Sequence, residues 1–160
     1  MLFEKYNNKL NHFYFKDPYK IIIFTVLSAQ TKDEISLKAC DVLFKKYPNV
    51  YLLSKADRKD IEKIIYSCGF YHKKSIFLLE ISKYISKYFC CNVPNKMKDL
   101  LSLPGVGRKT ANIVLTNAFF KNEGIAVDTH VKRLSNRLRL SVSKNPNIIE
   151  KDLMNIYNKK

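Results

Sequence analysis

The stretch that decides the fold is Leu103-Pro104-Gly105-Val106-Gly107-Arg108-Lys109-Thr110-Ala111, followed further along by Val127-Asp128-Thr129-His130. Gly105 and Gly107 have no Cβ, so their backbone can form a tight turn and come close to another surface. A helix that begins behind them directs free backbone N–H groups outward, which suits a phosphate. Lys109 lies one turn into that helix, and Asp128 follows beyond its end. We expect this amine and this carboxylate to meet over a sugar-phosphate backbone.

The composition indicates a single basic domain. A chain of 160 residues with 46% hydrophobic residues can bury a real core. Its formal net charge of +15 predicts an acidic partner, most simply a nucleic acid, with lysine-rich compositional bias as the alternative. No apolar run reaches the ~18 residues of a membrane span, and the first residues do not resemble a signal peptide. We therefore expect a cytoplasmic protein without a membrane partner, nucleoid-associated if its source is bacterial.

Helix signals run along the whole chain, without convincing strand alternation. Asp17-Pro18, Asp57 and Asn145-Pro146 each predict a helix start, because a short polar side chain can cap the first N–H groups. The apolar run at 21–27 predicts a buried central helix. The predicted class is all-α.

Three further expectations concern single positions. Thr31 is predicted to cap the next helix through a capping box. Gly69 is predicted to be the left-handed residue that ends a helix. Asp128 is predicted to begin a helix whose Val131, Leu134 and Leu138 face inward.

These residues resemble the endonuclease III family of helix-hairpin-helix DNA glycosylases. The strongest match is Leu103 to Asn112, LPGVGRKTAN, joined to Ala126 to His130, AVDTH. Two others are Leu27 to Asp33, similar to the family's LSAQxxD turn, and Gly69 to Lys74, similar to its GxYxxKA segment. Three motifs in the family's order argue against a chance match.

The resemblance implies a helical barrel with a helix-hairpin-helix motif, formed as one domain over residues 1–160. The expected barrel core covers about 18–120 and the hairpin about 97–119. Residues 1–17 and 121–160 are expected to form a partial second subdomain whose C-terminal part is shortened. The expected partner is double-stranded DNA with a damaged base or an abasic site, bound by a monomer.

By the resemblance, Lys109 is the nucleophile and Asp128 its essential partner. Attack on a sugar carbon needs a neutral amine, whereas an ordinary lysine is almost fully protonated at neutral pH. A helix N-terminus and neighbouring Arg108 favour the neutral form, and the Asp128 carboxylate favours the ammonium. The sequence leaves open which effect is larger. The alternatives are a surface lysine that contacts phosphate and an aspartate that only caps a helix.

The resemblance also implies a set of DNA-binding residues. The hairpin residues are expected to hold a phosphate, with a monovalent cation as a candidate ligand: Gly105, Val106, Gly107, Arg108 and Thr110. Gln30 is expected to enter the gap left by a flipped nucleotide and Phe70 to act as an apolar wedge. The alternatives are an ordinary turn residue at 30 and a core aromatic at 70.

His130, Lys73, Lys74 and Arg133 are the remaining candidates for phosphate contacts. A local hydrogen bond at a helix end is the alternative for His130. A solvated basic face is the alternative for the lysines and the arginine.

No metal or cofactor site is predicted. Cys40, Cys68, Cys90 and Cys91 match neither paired CxxC nor a ferredoxin-type run and are expected to be reduced thiols. Typical members of the family carry a four-cysteine [4Fe–4S] segment beyond the counterpart of Lys160. The cysteines of this chain lie elsewhere, so no such cluster is expected.

The expected activity is a base-excision DNA glycosylase with AP-lyase activity that removes oxidised pyrimidines through a lysine Schiff base. One rival is a monofunctional or mismatch glycosylase of the same superfamily, which would release bases without lysine-dependent strand cleavage. The other is a catalytically inactive, truncated DNA-binding remnant, which would bind DNA in a salt-dependent way and do no chemistry.

Overall fold

The computed structural model describes residues 14–157, and all regular secondary structure in that range is helical. The helices are α1 (Pro18–Ser28), α2 (Asp33–Lys46), α3 (Val50–Ser54), α4 (Arg58–Ile65), α5 (Tyr71–Tyr88), α6 (Met97–Leu101), α7 (Arg108–Phe119), α8 (Thr129–Arg137) and α9 (Pro146–Ile156). The predicted all-α class is confirmed. None of these helices is long and apolar enough to cross a membrane.

The predicted helix starts are confirmed where a polar side chain caps the N-terminus. Asp17 accepts hydrogen bonds from the N–H groups of Tyr19 and Lys20, and Pro18 follows as the first helical residue. Asp57 and Asn145 cap α4 and α9 in the same way. These caps form between residues two or three positions apart, so their formation depends on local sequence alone.

The predictions for Thr31 and Gly69 are wrong. Helix α2 starts at Asp33, and its N-cap residue Lys32 makes no side-chain capping bond. The Thr31 hydroxyl instead accepts hydrogen bonds from outside α2. The left-handed residue is Phe70, with φ of 58°, rather than Gly69. Space favours glycine at 69, because a Cβ there would lie only 3.0 Å from the carbonyl oxygen of Gln30.

Helix α1 is the centre of the main core. Ile21, Ile22, Ile23 and Leu27 have no exposed surface, as expected for a helix that is apolar nearly all round. Helices α2, α5 and α7 pack against it, and α3 packs along α5. This arrangement places the start of α7 and the end of α1 on neighbouring parts of the surface.

A second, smaller core lies after α7. It consists of Val127, Ile149 and Leu153, with Val131 of α8 packed against it. The prediction that Leu134 and Leu138 face inward is wrong, because they are 49% and 66% exposed. Helix α8 packs against α9 through one side only, and this leaves the rest of its apolar stripe uncovered.

The turn between α6 and α7 is anchored from below. Leu103 and Val106 are 2% and 7% exposed, and the Val106 N–H donates to the Leu103 carbonyl at 3.1 Å. The turn therefore rests on the main core and presents its glycines outward.

Candidate DNA-binding and catalytic site

The two glycines of the hairpin are needed for different reasons. Gly105 has φ of 72°, and a Cβ there would lie 2.8 Å from the Phe77 ring, so both conformation and space demand glycine. Gly107 has φ of −95°, and its Cβ would meet nothing within 4 Å. Nothing inside the described structure requires glycine at 107, which leaves its backbone open to an external surface.

Helix α7 begins directly behind these glycines and has no side-chain cap. Its N-cap residue, Gly107, cannot provide one, so the first N–H groups remain available to a ligand. Lys109 lies in this first turn, is exposed, and makes no side-chain hydrogen bond or ion pair to the described residues. A free amine beside a set of free N–H groups matches the sequence expectation for a nucleophile next to a bound phosphate.

Asp128 caps α8, as its cap interpretation predicted. One carboxylate oxygen, Oδ1, accepts the N–H groups of His130 at 2.9 Å and Val131 at 2.8 Å. Asp128 is half-buried and forms no ion pair with Lys109 in the part of the chain described. Because both capping bonds use the same oxygen, Oδ2 can still act on a substrate.

Arg108 is held by a residue that the sequence analysis missed. Its Nε and Nη2 donate to the Glu150 carboxylate at 2.5 and 3.0 Å. A buried carboxylate therefore offsets the positive charge that the sequence places beside Lys109. An acidic residue beside the apolar positions Ile149 and Leu153 was the signal that could have revealed this partner.

Glu150 is only 4% exposed, and Asn112 also donates to it at 2.7 Å. Burial alone would raise the pKa of the Glu150 carboxyl, but hydrogen bonds from Arg108 and Asn112 outweigh burial and hold the pKa below its ordinary value. The carboxylate is therefore charged at neutral pH and fully engaged.

Several of the predicted DNA-binding residues share one pocket of about 350 Å³. Its lining includes Gln30, Phe70, Lys74, Gly105 and Thr110. The end of α1, the start of α5 and the hairpin contribute them. Residues that lie far apart in the sequence thus meet at one place on the surface.

Gln30 and Phe70 project from the rim of this pocket. Both are exposed, Phe70 by 67%, so the alternative of a core aromatic at 70 is wrong. Both also have left-handed backbones, with φ of 54° and 58°. Residues with side chains rarely adopt this conformation, and it is often found at functional positions.

Lys74 and Val106 differ from the sequence expectation. Lys74 is 5% exposed, and its ammonium donates to the Leu27 carbonyl and to the Thr31 hydroxyl, both at 2.7 Å. Burial lowers the pKa of the Lys74 ammonium. The prediction that Lys74 contacts a phosphate at the surface is therefore wrong. The Val106 side chain is buried in the core, so only its backbone can reach a phosphate.

The other candidates lie on the surface. Lys73, His130 and Arg133 are exposed. The His130 backbone N–H donates to Asp128, as the local alternative for this residue expected. The side chains of these three residues are accessible to a phosphate backbone.

The cysteines do not fit an iron–sulfur cluster. Cys40 and Cys68 are buried in the main core, whereas Cys90 and Cys91 follow the end of α5, and all four are free thiols. Within residues 14–157, no three His, Cys, Asp or Glu side chains are grouped as metal ligands.

The model of the HhH-GPD superfamily of base excision DNA repair proteins matches residues 23–159. Endonuclease III of Synechocystis sp. is 44% identical over 142 residues, which is 89% of this chain and 65% of that protein. Endonuclease III of Thermotoga maritima is 43% identical over 137 residues, 86% of this chain and 64% of that protein. The chain thus spans slightly less than two thirds of either relative.

A solved structure of a trapped endonuclease III–DNA covalent intermediate, an estranged-adenine complex, superposes with a TM-score of 0.90. It is 33% identical and aligns over 99% of this chain and 74% of that chain. A thermostable thymine-DNA glycosylase superposes with a TM-score of 0.83 at 28% identity, over 97% of this chain and 72% of that chain.

Proposed function

The chain belongs to the HhH-GPD superfamily and, within it, to the endonuclease III family, and from this premise we propose that it is a base-excision DNA glycosylase with AP-lyase activity. The observation that carries the proposal is the free amine of Lys109 at the uncapped start of α7, directly behind an open Gly107. The similar solved structure described as a trapped covalent intermediate with DNA supports covalent chemistry.

The proposed reaction begins with the neutral Lys109 amine. It attacks C1′ of the damaged nucleotide, and the bond from C1′ to the base breaks as the base leaves with its electron pair. The C1′–O4′ bond of the resulting amine adduct then breaks as O4′ takes a proton, and the open-chain Schiff base acidifies the C2′ proton. Loss of this proton expels the 3′ phosphate by β-elimination, without a metal. Asp128 takes a proton from the amine or stabilises positive charge on the sugar through the oxygen that its capping role leaves free.

The surface around this pair suits duplex DNA. The hairpin offers backbone N–H groups to a phosphate, and a monovalent cation is a candidate ligand there. Lys73, His130 and Arg133 are available for further phosphate contacts. Gln30 and Phe70 would occupy the space of a displaced nucleotide. The proposed substrates are oxidised pyrimidines and abasic sites in double-stranded DNA.

We extend the proposal to the whole chain as a single domain over residues 1–160, acting as a monomer without an iron–sulfur cluster. Its proposed place is the cytoplasm, on chromosomal DNA. The net charge of +15 supports the DNA partner, and a cysteine arrangement without a group of cluster ligands in the described range supports the proposal of no cluster.

Borohydride trapping tests the function. Duplex DNA with an abasic site or with thymine glycol is incubated with the protein and reductant, and covalent complexes are separated by denaturing electrophoresis. We expect complexes on both substrates, lost in Lys109→Ala and retained in Lys98→Ala, which removes another exposed lysine of the hairpin. Base release without a trapped complex would instead identify a monofunctional glycosylase. Binding without either product would identify an inactive remnant.

A further inference from the structure

The loops that carry Gln30 and Phe70 touch each other. The segment before Phe70 approaches so closely that a Cβ on Gly69 would lie 3.0 Å from the Gln30 carbonyl oxygen and 3.5 Å from the Thr31 hydroxyl. The two exposed side chains therefore project from one joint structure rather than from independent loops.

A single hydroxyl joins these loops. Thr31 Oγ1 accepts the Gly69 N–H at 3.1 Å and the Lys74 ammonium at 2.7 Å. The ammonium also donates to the Leu27 carbonyl at 2.7 Å, in the last turn of α1. Through these bonds the end of α1, the Gln30 turn and the start of α5 are tied together at one point.

The network also explains how two strained residues persist. Left-handed backbone is unfavourable for Gln30 and Phe70, and such conformations survive only where the surroundings hold them. Thr31 directly follows Gln30, and Gly69 directly precedes Phe70. The hydrogen bond between Thr31 and Gly69 therefore holds both strained residues in place. The buried Lys74 ammonium needs both of its acceptors, because an unpaired charge in the core is costly.

We propose that Thr31 is a positioning residue that sets the spacing between Gln30 and Phe70, so that both side chains enter the base stack as one unit. The inference rests on the proposed function, because it concerns how the damaged nucleotide is displaced. Thr31 acts on the opening of the duplex and not on the chemistry at Lys109. DNA whose reactive sugar is already unstacked therefore does not need it.

The test compares two substitutions at one position. Thr31→Val has nearly the same shape but no acceptor, whereas Thr31→Ser keeps the hydroxyl. Single-turnover base release is measured on duplex thymine glycol, and strand cleavage is measured on a single-stranded abasic oligonucleotide. We expect Thr31→Val to slow the duplex reaction by about tenfold, the value of one charge-assisted hydrogen bond, and to leave the single-stranded reaction within about twofold. Thr31→Ser is expected to stay within about threefold of the wild type on both substrates.

A second readout reports displacement directly. 2-Aminopurine placed opposite the lesion becomes more fluorescent when it is unstacked, and we expect Thr31→Val to lose most of that increase at saturating protein. The proposal would be overturned if Thr31→Val slowed base release from the duplex and cleavage of the single strand equally. It would also be overturned if Thr31→Val released the base from the duplex as fast as the wild type.

Two controls cover a Thr31→Val variant that does not fold and a wild type that is inactive. If Thr31→Val does not fold, Thr31→Val combined with Lys74→Met removes the buried charge along with its acceptor, and the same measurements are made on that variant. If the wild type forms no covalent complex, the proposed function fails. The fluorescence of the bound duplex then still decides the inference, which is overturned if Thr31→Val and the wild type give equal increases.

Discussion

Arg108 and Glu150 are joined by a two-point ion pair, with Nε to Oε2 at 2.5 Å and Nη2 to Oε1 at 3.0 Å. Arg108 is the first residue of α7, and Glu150 lies on α9. Asn112 of α7 donates to the same carboxylate and to the Ile125 carbonyl at 3.2 Å, shortly before Asp128. The pair therefore holds the helix that carries Lys109 against α9, and Asn112 ties the same helix to the segment that leads to Asp128.

Replacement of Glu150 by glutamine is expected to lower the free energy of unfolding by about 2 kcal/mol, since it leaves a partly buried guanidinium without its counter-charge. Chemical denaturation at pH 7 measures the loss. Glu123→Gln is the matched control, because Glu123 lines a surface cleft together with Arg108 and Glu150, is exposed and forms no ion pair among the described residues. Equal stability of the two variants would show that the ion pair contributes nothing.

The same pair predicts how stability depends on pH. The folded state holds the pKa of the Glu150 carboxyl below its ordinary value of 4.5, so between the two values the unfolded chain binds more protons than the folded one. The contribution of Glu150 is complete above that ordinary value and is lost as the pH falls through the lowered one. Denaturation from pH 7 down to acid should therefore show the gap between wild type and Glu150→Gln closing in acid. A constant gap would contradict the assignment.

Asp128 has a capping role and a proposed chemical role, and two substitutions separate them. Asparagine caps helices as well as aspartate does, so Asp128→Asn should keep its stability, whereas Asp128→Ala should lose about 1 kcal/mol. Both should slow base release by roughly 100-fold or more, because only a carboxylate can take the proton or balance positive charge on the sugar. Thermal unfolding and single-turnover assays measure the two effects. Full activity in Asp128→Asn would reduce this residue to a cap.

Alanine at each hairpin glycine should separate stability from DNA binding. Gly105→Ala is expected to destabilise by roughly 1–2 kcal/mol from its left-handed backbone alone, and the Phe77 ring at 2.8 Å adds to the loss. Gly107→Ala should leave stability within about 0.5 kcal/mol, because the new methyl group meets nothing. It should nevertheless weaken DNA binding, since that methyl would stand where we propose that a phosphate binds. Thermal unfolding and fluorescence anisotropy at fixed salt measure the pair, and unchanged affinity in Gly107→Ala would remove the phosphate contact from the hairpin.

Phe70→Ala should change activity without changing stability. The ring is 67% exposed and contributes little to the core, so the melting temperature should stay the same. Base release from paired duplex DNA should fall by about tenfold as the wedge is lost. Tyr66→Ala is the control, because Tyr66 is another aromatic, 71% exposed, in the turn that leads to Phe70. If both variants release bases equally fast, Phe70 is not a wedge.

Expectations from the sequence were accurate where the governing interaction is local. The caps at Asp17, Asp57 and Asp128 each join atoms two or three residues apart, and most of the run at 21–27 is buried because it is apolar nearly all round. Errors arose where a distant partner competes for the same group. Thr31 has the right spacing for a capping box, but its hydroxyl is occupied by Lys74 from α5.

The sequence by itself determined the all-helical class, the helix starts that a polar side chain caps, the turn before Lys109 and the family. These follow from short-range geometry and from a motif that only certain residue types can form. Only the tertiary structure decided that Arg108 pairs with Glu150 across 42 positions and that Lys74 reaches Leu27 across 47. Such pairs depend on how whole helices pack, because the packing determines which polar group lies within hydrogen-bond distance of each buried charge.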